Sequence, residues 1–355
     1  MEIFDVAIVG AGPAGSSCAA FCAQTGLRTL LLEREKFPRE KVCGDCLNPS
    51  CWPVLQRLEL ENHVRELPHG ELRVVEFIGT NRRSVSIPLP KGAEIAVKRS
   101  IFDALLLSRA RALGAEVLEA ATVSELQRRE NWKIATNENV FEARVLVAAD
   151  GRNSTVARLC NLLPRVGKER VALQTHIALP NDFGDRVVLQ FLHEGYSGQA
   201  PTGNGELNLC LVGKPSSVSN LKTWAENKFG ISRNQSWRTI TPLTRRALAP
   251  THARLFLIGD AARVVEPFTG EGIFYALRSG ELAAESIRKF ADGVSERDVA
   301  REFEQQQRSM YAGRLWLNRL ARAAVLSPRL ASGILSLAKM QPSLLRFLTA
   351  KVTLG

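Results

Sequence analysis

Ile3 to Val9 is an apolar run broken only by Asp5, and Thr29-Leu30-Leu31-Leu32 is a second. Unbroken runs of this length predict strands buried on both faces, with the small-residue stretch from Pro13 between them as a helix. A charged loop then leads to a cysteine- and glycine-rich turn, and a helix is predicted from about Pro53 to Leu67. Val74 to Ile87 alternates as a pair of strands does, and Ala96 to Arg99 reads as a short strand. Ser100 is read as the N-cap of a helix over Ile101–Leu113, which Gly114 ends before a strand at Glu116-Val117-Leu118. Val123 to Val140 predicts a β-meander, and Arg144 to Ala149 a buried strand running into Asp150-Gly151. From Val171 to Val212 several segments alternate apolar and polar residues as half-buried antiparallel strands do. A helix near Leu221–Phe229 and a strand over Trp237–Leu243 follow, then a strand ending at Gly259-Asp260 and a helix over Gly272–Phe290. From Asp298 the pattern is helical to the end.

This order predicts an α/β fold with an α+β insertion. Residues 1–70, 96–165 and 245–297 form a discontinuous Rossmann-like domain. Residues 71–95 and 166–244 form an antiparallel-sheet domain, and 298–355 a helical tail. No acidic residue follows Glu304, while Arg308, Arg314, Arg319, Arg322, Arg329, Lys339, Arg346 and Lys351 do. Such a tail can be a helix packed on the core with a solvated basic face, or a basic amphipathic helix in peripheral contact with an anionic membrane.

Composition changes this picture little. With 45% hydrophobic and 23% charged residues the chain is an ordinary globular protein. Its net charge of +11 favours anionic ligands, but no basic motif interleaved with aromatics points to nucleic acid. No stretch approaches the roughly 18 uninterrupted apolar residues of a membrane span. Met1 is followed at once by Glu2 and a strand, so no signal peptide is expected. Seven cysteines, an odd number, then suggest reduced thiols and a cytoplasmic location. Oligomeric state is not encoded legibly.

The chemistry begins at Gly10-Ala11-Gly12-Pro13-Ala14-Gly15, a G-x-G-x-x-G turn between strand and helix. Gly10 permits the tight turn, Gly12 lets the backbone approach a pyrophosphate, and Gly15 lets helix and strand pack closely. The helix start offers unpaired N–H groups to phosphates. Glu33, eighteen positions after Gly15, can accept hydrogen bonds from a ribose, and its charge disfavours a 2′-phosphate. A purely structural βαβ turn is the alternative.

Two further motifs are Asp150-Gly151-Arg152-Asn153-Ser154 and Gly259-Asp260-Ala261-Ala262 with Gly270-Glu271-Gly272-Ile273. With them the chain resembles FAD-dependent oxidoreductases of the para-hydroxybenzoate hydroxylase superfamily, most closely the geranylgeranyl reductase branch, up to about Phe290. The resemblance implies that Gly10, Gly12, Pro13, Ala14 and Gly15 hold the FAD pyrophosphate, and Glu33 with neighbouring Arg34 the adenosine. It places Arg99 near the phosphates or ribityl chain, Val123 against adenine through its backbone, and Asp260, after Gly259, on the ribityl chain or its phosphate. Gly270, Gly272 and Ile273 would bring a helix start to the pyrimidine edge of the flavin, where negative charge is stabilised. Asp150 and Gly151 resemble a turn associated with FAD and a visiting nicotinamide. Only one dinucleotide fingerprint is present; the resemblance implies that NAD(P)H docks transiently as electron donor, and another donor is the alternative.

Cys43-Gly44-Asp45 resembles a turn that this branch lays against the flavin face, with Cys43 and Cys46 beside the ring. Cys46 and Cys51 also resemble the redox pair of flavin disulfide reductases, and Cys43 with Cys46 a thioredoxin-type pair. No ligand set completes a metal site with His63 or His69. His176 and His193 read as strand residues. Where prenyl reductases of the branch carry Tyr-x-Trp-x-Phe-Pro, this chain has Tyr196-Ser197-Gly198-Gln199-Ala200-Pro201, which predicts an enlarged or reshaped pocket. The catalytic candidates are Cys43, Cys46 and Tyr196. The function expected is an FAD enzyme using NAD(P)H on a hydrophobic small molecule, by hydroxylation or double-bond reduction. A disulfide reductase, or a flavin-holding protein that binds a membrane surface or partner, are the alternatives.

Overall fold

The computed structural model of the chain describes residues 2–164, 170–265 and 270–312. The chain opens with β1 (Ile3–Val9), α1 (Pro13–Gln24) and β2 (Thr29–Leu32), then runs through β3 (Cys46–Leu47), α2 (Trp52–Arg57) and α3 (Glu61–Glu66). Next come β4 (Gly70–Leu72), β5 (Val74–Ile78), β6 (Ser84–Pro88), β7 (Glu94–Ala96), α4 (Arg99–Ala112) and β8 (Glu116–Leu118). β9 (Val123–Arg128), β10 (Trp132–Thr136), β11 (Val140–Ala148) and α5 (Thr155–Leu159) complete the first half. The second holds β12 (Val171–Ala178), β13 (Arg186–Leu192), β14 (Gly195–Pro201), β15 (Glu206–Gly213), α6 (Val218–Phe229) and β16 (Arg238–Ile240). It ends with β17 (Thr251–His252), β18 (Leu255–Leu257), α7 (Gly272–Ala291) and α8 (Glu296–Tyr311).

The main sheet runs β17-β18-β11-β1-β2-β8, with the β9–β10 hairpin joined to β11. β1 pairs in parallel with both β11 and β2, and Val6 to Val9 are buried on both faces of the sheet. Val6 and Ile8 pack into one apolar cluster with α1, α4, α7 and α8. Phe4, Ala7 and Val9 pack into another, under the β9–β10 hairpin and α5. An unbroken apolar run is what a strand covered on both sides needs. α1 and α7 approach closely because Gly280 faces Ser17 and Ala14: an added Cβ would lie 2.2 Å from Ser17 Oγ. The Ser17 hydroxyl donates to Leu277 O at 3.2 Å and ties the pair.

A second sheet runs β16-β12-β15-β14-β13-β5-β6. Leu173, Leu207, Leu209 and Leu211 pack on one face with Leu221 and Ala225 of α6. Ala172, Phe191, Tyr196 and Val212 gather on the other with Leu243. A small third sheet, β3-β7-β4, joins the two larger ones. Its strands fall at 46–47, 70–72 and 94–96, so the boundaries expected at 70/71 and 95/96 cut through it.

Four local expectations shift. The helix expected over Pro53–Leu67 is two helices, because Leu58 and Leu60 are both buried and Glu59 turns the chain between them at φ 57. The Arg109 guanidinium donates to the Leu58 carbonyl at 2.8 Å and holds that turn. The short strand lies at Glu94–Ala96 rather than Ala96–Arg99, and α4 begins at Arg99 with Lys98 as N-cap, in place of Ser100. Of the strand expected over Trp237–Leu243 only Arg238–Ile240 pairs, and Pro242 lacks the N–H to extend it. The tail described from Asp298 is α8, with Arg308 exposed; the rest of the basic tail, 313–355, lies outside the described residues.

Candidate active site

The parallel strands end side by side. Gly10 N–H donates to Leu32 O, Glu33 N–H to Leu118 O, Ala149 N–H to Val9 O and Ile258 N–H to Ala148 O, at 2.7 to 3.0 Å. The loops leaving β1, β2, β11 and β18 therefore converge at the carboxyl ends of the strands, where α/β folds place ligands. They open on a cavity of about 970 Å³ that continues along the inner face of the second sheet.

Gly10 takes φ +99, and a Cβ there would meet Ala149 O at 2.7 Å. Gly12 is the N-cap of α1 and has no side chain to close the helix start. An added Cβ at Gly12 would find only Arg39 Nη2, at 3.7 Å, so its backbone is open to the cavity. Pro13 and Ala14 border the cavity beside it. Gly15 does not. Its added Cβ would lie 1.8 Å from Gly10 O, so it serves the contact of helix and strand. Glu33 is buried, accepting the Ala11 N–H at 2.7 Å and the Glu35 N–H at 3.0 Å. Arg34 borders the cavity, but its side chain is 69% exposed and pairs with Glu35 at 3.5 Å.

Asp150 and Gly151 follow β11. One Asp150 oxygen accepts the Val156 N–H at 3.1 Å, the other is buried without a partner among the described residues, and burial pushes the carboxyl up. Asp260 pairs with Arg152 at 2.9 Å and borders the cavity. Gly259 does not border it; its N–H donates to Ser279 Oγ at 2.9 Å and ties the loop to α7. Gly270, at φ +68, leads to Gly272 and Ile273, which bring the start of α7 to the cavity. Val123, at the start of β9, also borders it. Arg99 lies there too, its guanidinium held by Asp103 through bonds of 2.7 and 2.8 Å.

Cys43, Gly44, Asp45 and Cys46 form the wall between this polar end and the second sheet. The loop is clamped. Gln174 and Asn208 amides each donate to Cys43 O at 2.9 Å, and the Cys210 thiol donates at 3.2 Å. Asp45, fully buried at φ 62, takes Asn208 Nδ2 at 2.6 Å and His176 Nε2 at 3.0 Å. Burial raises the Asp45 carboxyl against the pull of His176, and raises the Cys43 and Cys46 thiols. Cys46 and Cys51 are both free, and Cys51 is buried against Asn48 away from the cavity lining. Tyr196 is buried and forms part of the apolar wall with Val75, Phe77, Leu189 and Phe191.

Sequence reasoning missed Arg39, Lys41 and Glu94. Arg39 reaches both Asp103 at 3.1 Å and the open side of Gly12. Lys41 borders the cavity; burial, then the Arg99, Arg152 and Arg39 charges, lower its pKa to about 8. Both lie in the charged loop after Glu33, and their basic character was the available signal. Glu94 was a lone acid in the apolar run Ala93 to Val97.

Residues 4–200 match the FAD binding domain family. The chain belongs to it. The FAD cradle this implies fits the residues present: an uncapped helix start, a glycine backbone open to the cavity, a buried carboxylate and Arg39 beside them. Among similar proteins, the menaquinone reductase of Mycolicibacterium smegmatis is 29% identical over 314 residues, 79% of this chain and 75% of its own. The digeranylgeranylglycerophospholipid reductase of Thermoplasma volcanium is 28% identical over 312 residues, 80% and 78%. A geranylgeranyl bacteriochlorophyll reductase-like structure from Thermoplasma acidophilum superposes with a TM-score of 0.81 at 23% identity, covering 95% of this chain and 91% of its own. The resemblance read from the motifs holds: this is an FAD-dependent oxidoreductase with the fold of that superfamily.

Proposed function

We propose that this FAD enzyme reduces a carbon–carbon double bond in a long hydrophobic molecule of isoprenoid type, with NAD(P)H as transient donor. One observation carries the reading: a single cavity joins the glycine-rich turn to the apolar face of the second sheet. The names of the menaquinone and digeranylgeranylglycerophospholipid reductases support the substrate class.

In this reading Gly10, Gly12, Pro13, Ala14 and Arg39 hold the pyrophosphate, with Gly15 keeping α1 close beneath them. Glu33 takes the ribose hydroxyls with the lone pairs its backbone partners leave free, and Arg34 and Val123 flank the adenosine. Arg99, Lys41 and Asp260, positioned by Gly259, line the ribityl chain and the phosphate that joins it. Asp150 and Gly151 border the side open to a nicotinamide. The starts of α1 and α7 point their N–H groups at the two places where negative charge gathers. FAD, when bound, supplies the two-electron chemistry. The chain orients the substrate and excludes water from it. Cys43 and Cys46, raised by burial, act as neutral packing groups rather than nucleophiles. Tyr196 fixes the substrate's approach.

Gly198 and Ala200 stand where the branch has bulky residues, and both line the cavity. A Cβ at Gly198 would meet nothing closer than Leu189 Cδ2 at 3.8 Å. With no side chain at 198 and only a methyl at 200, more of the cavity is left to the substrate, which suits one with a bulky ring as well as an isoprenoid chain.

The test is anaerobic. FAD-loaded protein is reduced with NADH or NADPH and then mixed with an isoprenoid quinol, its ring already reduced, or a geranylgeranyl lipid. Reoxidation of the flavin without oxygen, and a product heavier by two hydrogens, is the expected result. A product formed only after air is admitted, and heavier by an oxygen atom, would show hydroxylation instead. A change in the number of free thiols on reduction would favour the disulfide reductase.

A further inference from the structure

One carboxyl group on the cavity wall has no part in this account. Glu94 lies on β7, the middle strand of the small sheet, paired across to Leu72. It borders the cavity and is 8% exposed. Among the described residues no hydrogen bond or ion pair reaches its side chain. The neighbouring surface is apolar: Leu72, Val75, Leu89, Ala96 and Ala200 form one buried cluster, with Cys46 and Phe77 against it. Asn48 borders the same cavity; its Nδ2 is buried without a partner among the described residues, and its Oδ1 takes the Cys51 thiol at 3.5 Å.

A carboxyl group buried without a partner is costly to ionise, and folds rarely keep one at a cavity wall without a use. We propose that Glu94 is the acid that gives the substrate its proton, with the Asn48 amide as a hydrogen-bond donor beside it. The assignment rests on the double-bond reductase reading above. Saturating the bond adds a hydride to one carbon and a proton to the other. The hydride comes from cofactor reduced by the nicotinamide donor. The π electrons of the bond form the new C–H bond to the Glu94 proton while its O–H bond breaks. The carboxylate left behind recovers a proton from solvent in each cycle.

The surroundings suit the role. Burial raises the Glu94 carboxyl to about 7, so it holds its proton in a large share of molecules at neutral pH. The titratable groups on the packed elements are Cys46 on β3 and Cys51 in the turn before α2, both thiols held neutral by burial. Glu71 on β4 pairs with Arg73, and Arg65 on α3 is bound to Glu61 and Gly92 O. Asp45, beside Cys46, is taken up by His176 and Asn208. None of these neutralises Glu94.

Glu94→Gln in the full chain, loaded with FAD, tests the assignment. It should bind FAD and be reduced by the nicotinamide as the wild type is. Its anaerobic reoxidation by the isoprenoid quinol or geranylgeranyl lipid should slow by about 100-fold or more, the usual weight of a positioned acid. The wild-type rate should fall as pH rises through about 7, and that limb should vanish in Glu94→Gln and return, shifted, in Glu94→Asp. Infrared spectra should show a protonated carboxyl band titrating near the same pH in wild type and missing from Glu94→Gln, a readout independent of turnover. An active wild type whose Glu94→Gln variant keeps both rate and pH limb overturns the Glu94 assignment alone. So does a titrating band that survives the substitution. A wild type that never reduces a double bond overturns the reductase reading together with it.

Discussion

At Gly15 the absence of a single carbon decides whether helix and strand can meet. The 1.8 Å between an added Cβ and Gly10 O involves backbone on both sides, so neither can give way cheaply. Gly15→Ala should destabilise the protein by roughly 3 kcal/mol or more, seen as a lower urea midpoint, with loss of bound FAD. Glu94 makes a second prediction at this scale, and its sign follows from linkage. The folded carboxyl has a higher pKa than the unfolded one, so its contribution is complete at low pH and is lost as pH rises through about 7. Glu94→Gln removes that loss. The variant should match wild type in urea melts near pH 5 and exceed it near pH 8, by up to roughly 3 kcal/mol. Equal midpoints at both would show that the carboxyl is solvated. The residues of the glycine-rich turn were legible because backbone geometry leaves few alternatives to glycine there. Glu94 was not, since an isolated acid acquires its meaning only from what surrounds it.

Elements show a different division. β1, β2 and β11 could be read from their apolar runs because a strand covered on both faces has no polar side to confuse the pattern. α2 and α3 could not be separated, since both halves carry helical spacing and the break depends on Leu58 and Leu60 being buried by distant residues. The loop from Arg39 to Cys46 has no regular pattern, yet amides on β12 and β15 hold its Cys43 end. Lys41 gains its character in that loop from burial first, then from Arg99, Arg152 and Arg39 around it. Its pKa is lowered to about 8, and a bound pyrophosphate would raise it again. Binding then takes up a proton, so FAD affinity should fall as pH rises through about 8. Lys41→Met should bind FAD roughly 10-fold more weakly near neutral pH and lose most of that dependence. Flavin fluorescence titrations across that range check both points.

Across the whole molecule, two sheets of different origin meet over one cavity. The main sheet contributes its loop ends and the second its inner face, so cofactor and substrate regions are continuous. Placing a bulky side chain at Gly198 tests that continuity. Gly198→Phe should leave FAD binding and its reduction by NAD(P)H intact while lowering turnover of a long or bulky substrate by about 10-fold, a loss of the order of 1.4 kcal/mol in transition-state binding. Stopped-flow traces of the two half-reactions separate these effects, and equal slowing of both would mean that the second sheet is not the substrate wall. Among the described residues no helix is long and apolar enough to cross a membrane.

By itself the sequence determined the nucleotide-binding turn, the acid after β2, the two later motifs and the interruption of one sheet by another. Each depends on local backbone geometry or on a period set by hydrogen bonding, and neighbouring residues suffice to express it. Only the tertiary structure decided that Arg39 faces Gly12, that Cys43 is clamped by three strand side chains, and that Glu94 stands at the cavity without a partner among the described residues. Those properties depend on desolvation and on contacts between residues far apart in the chain, and no local pattern records which groups water will be kept from.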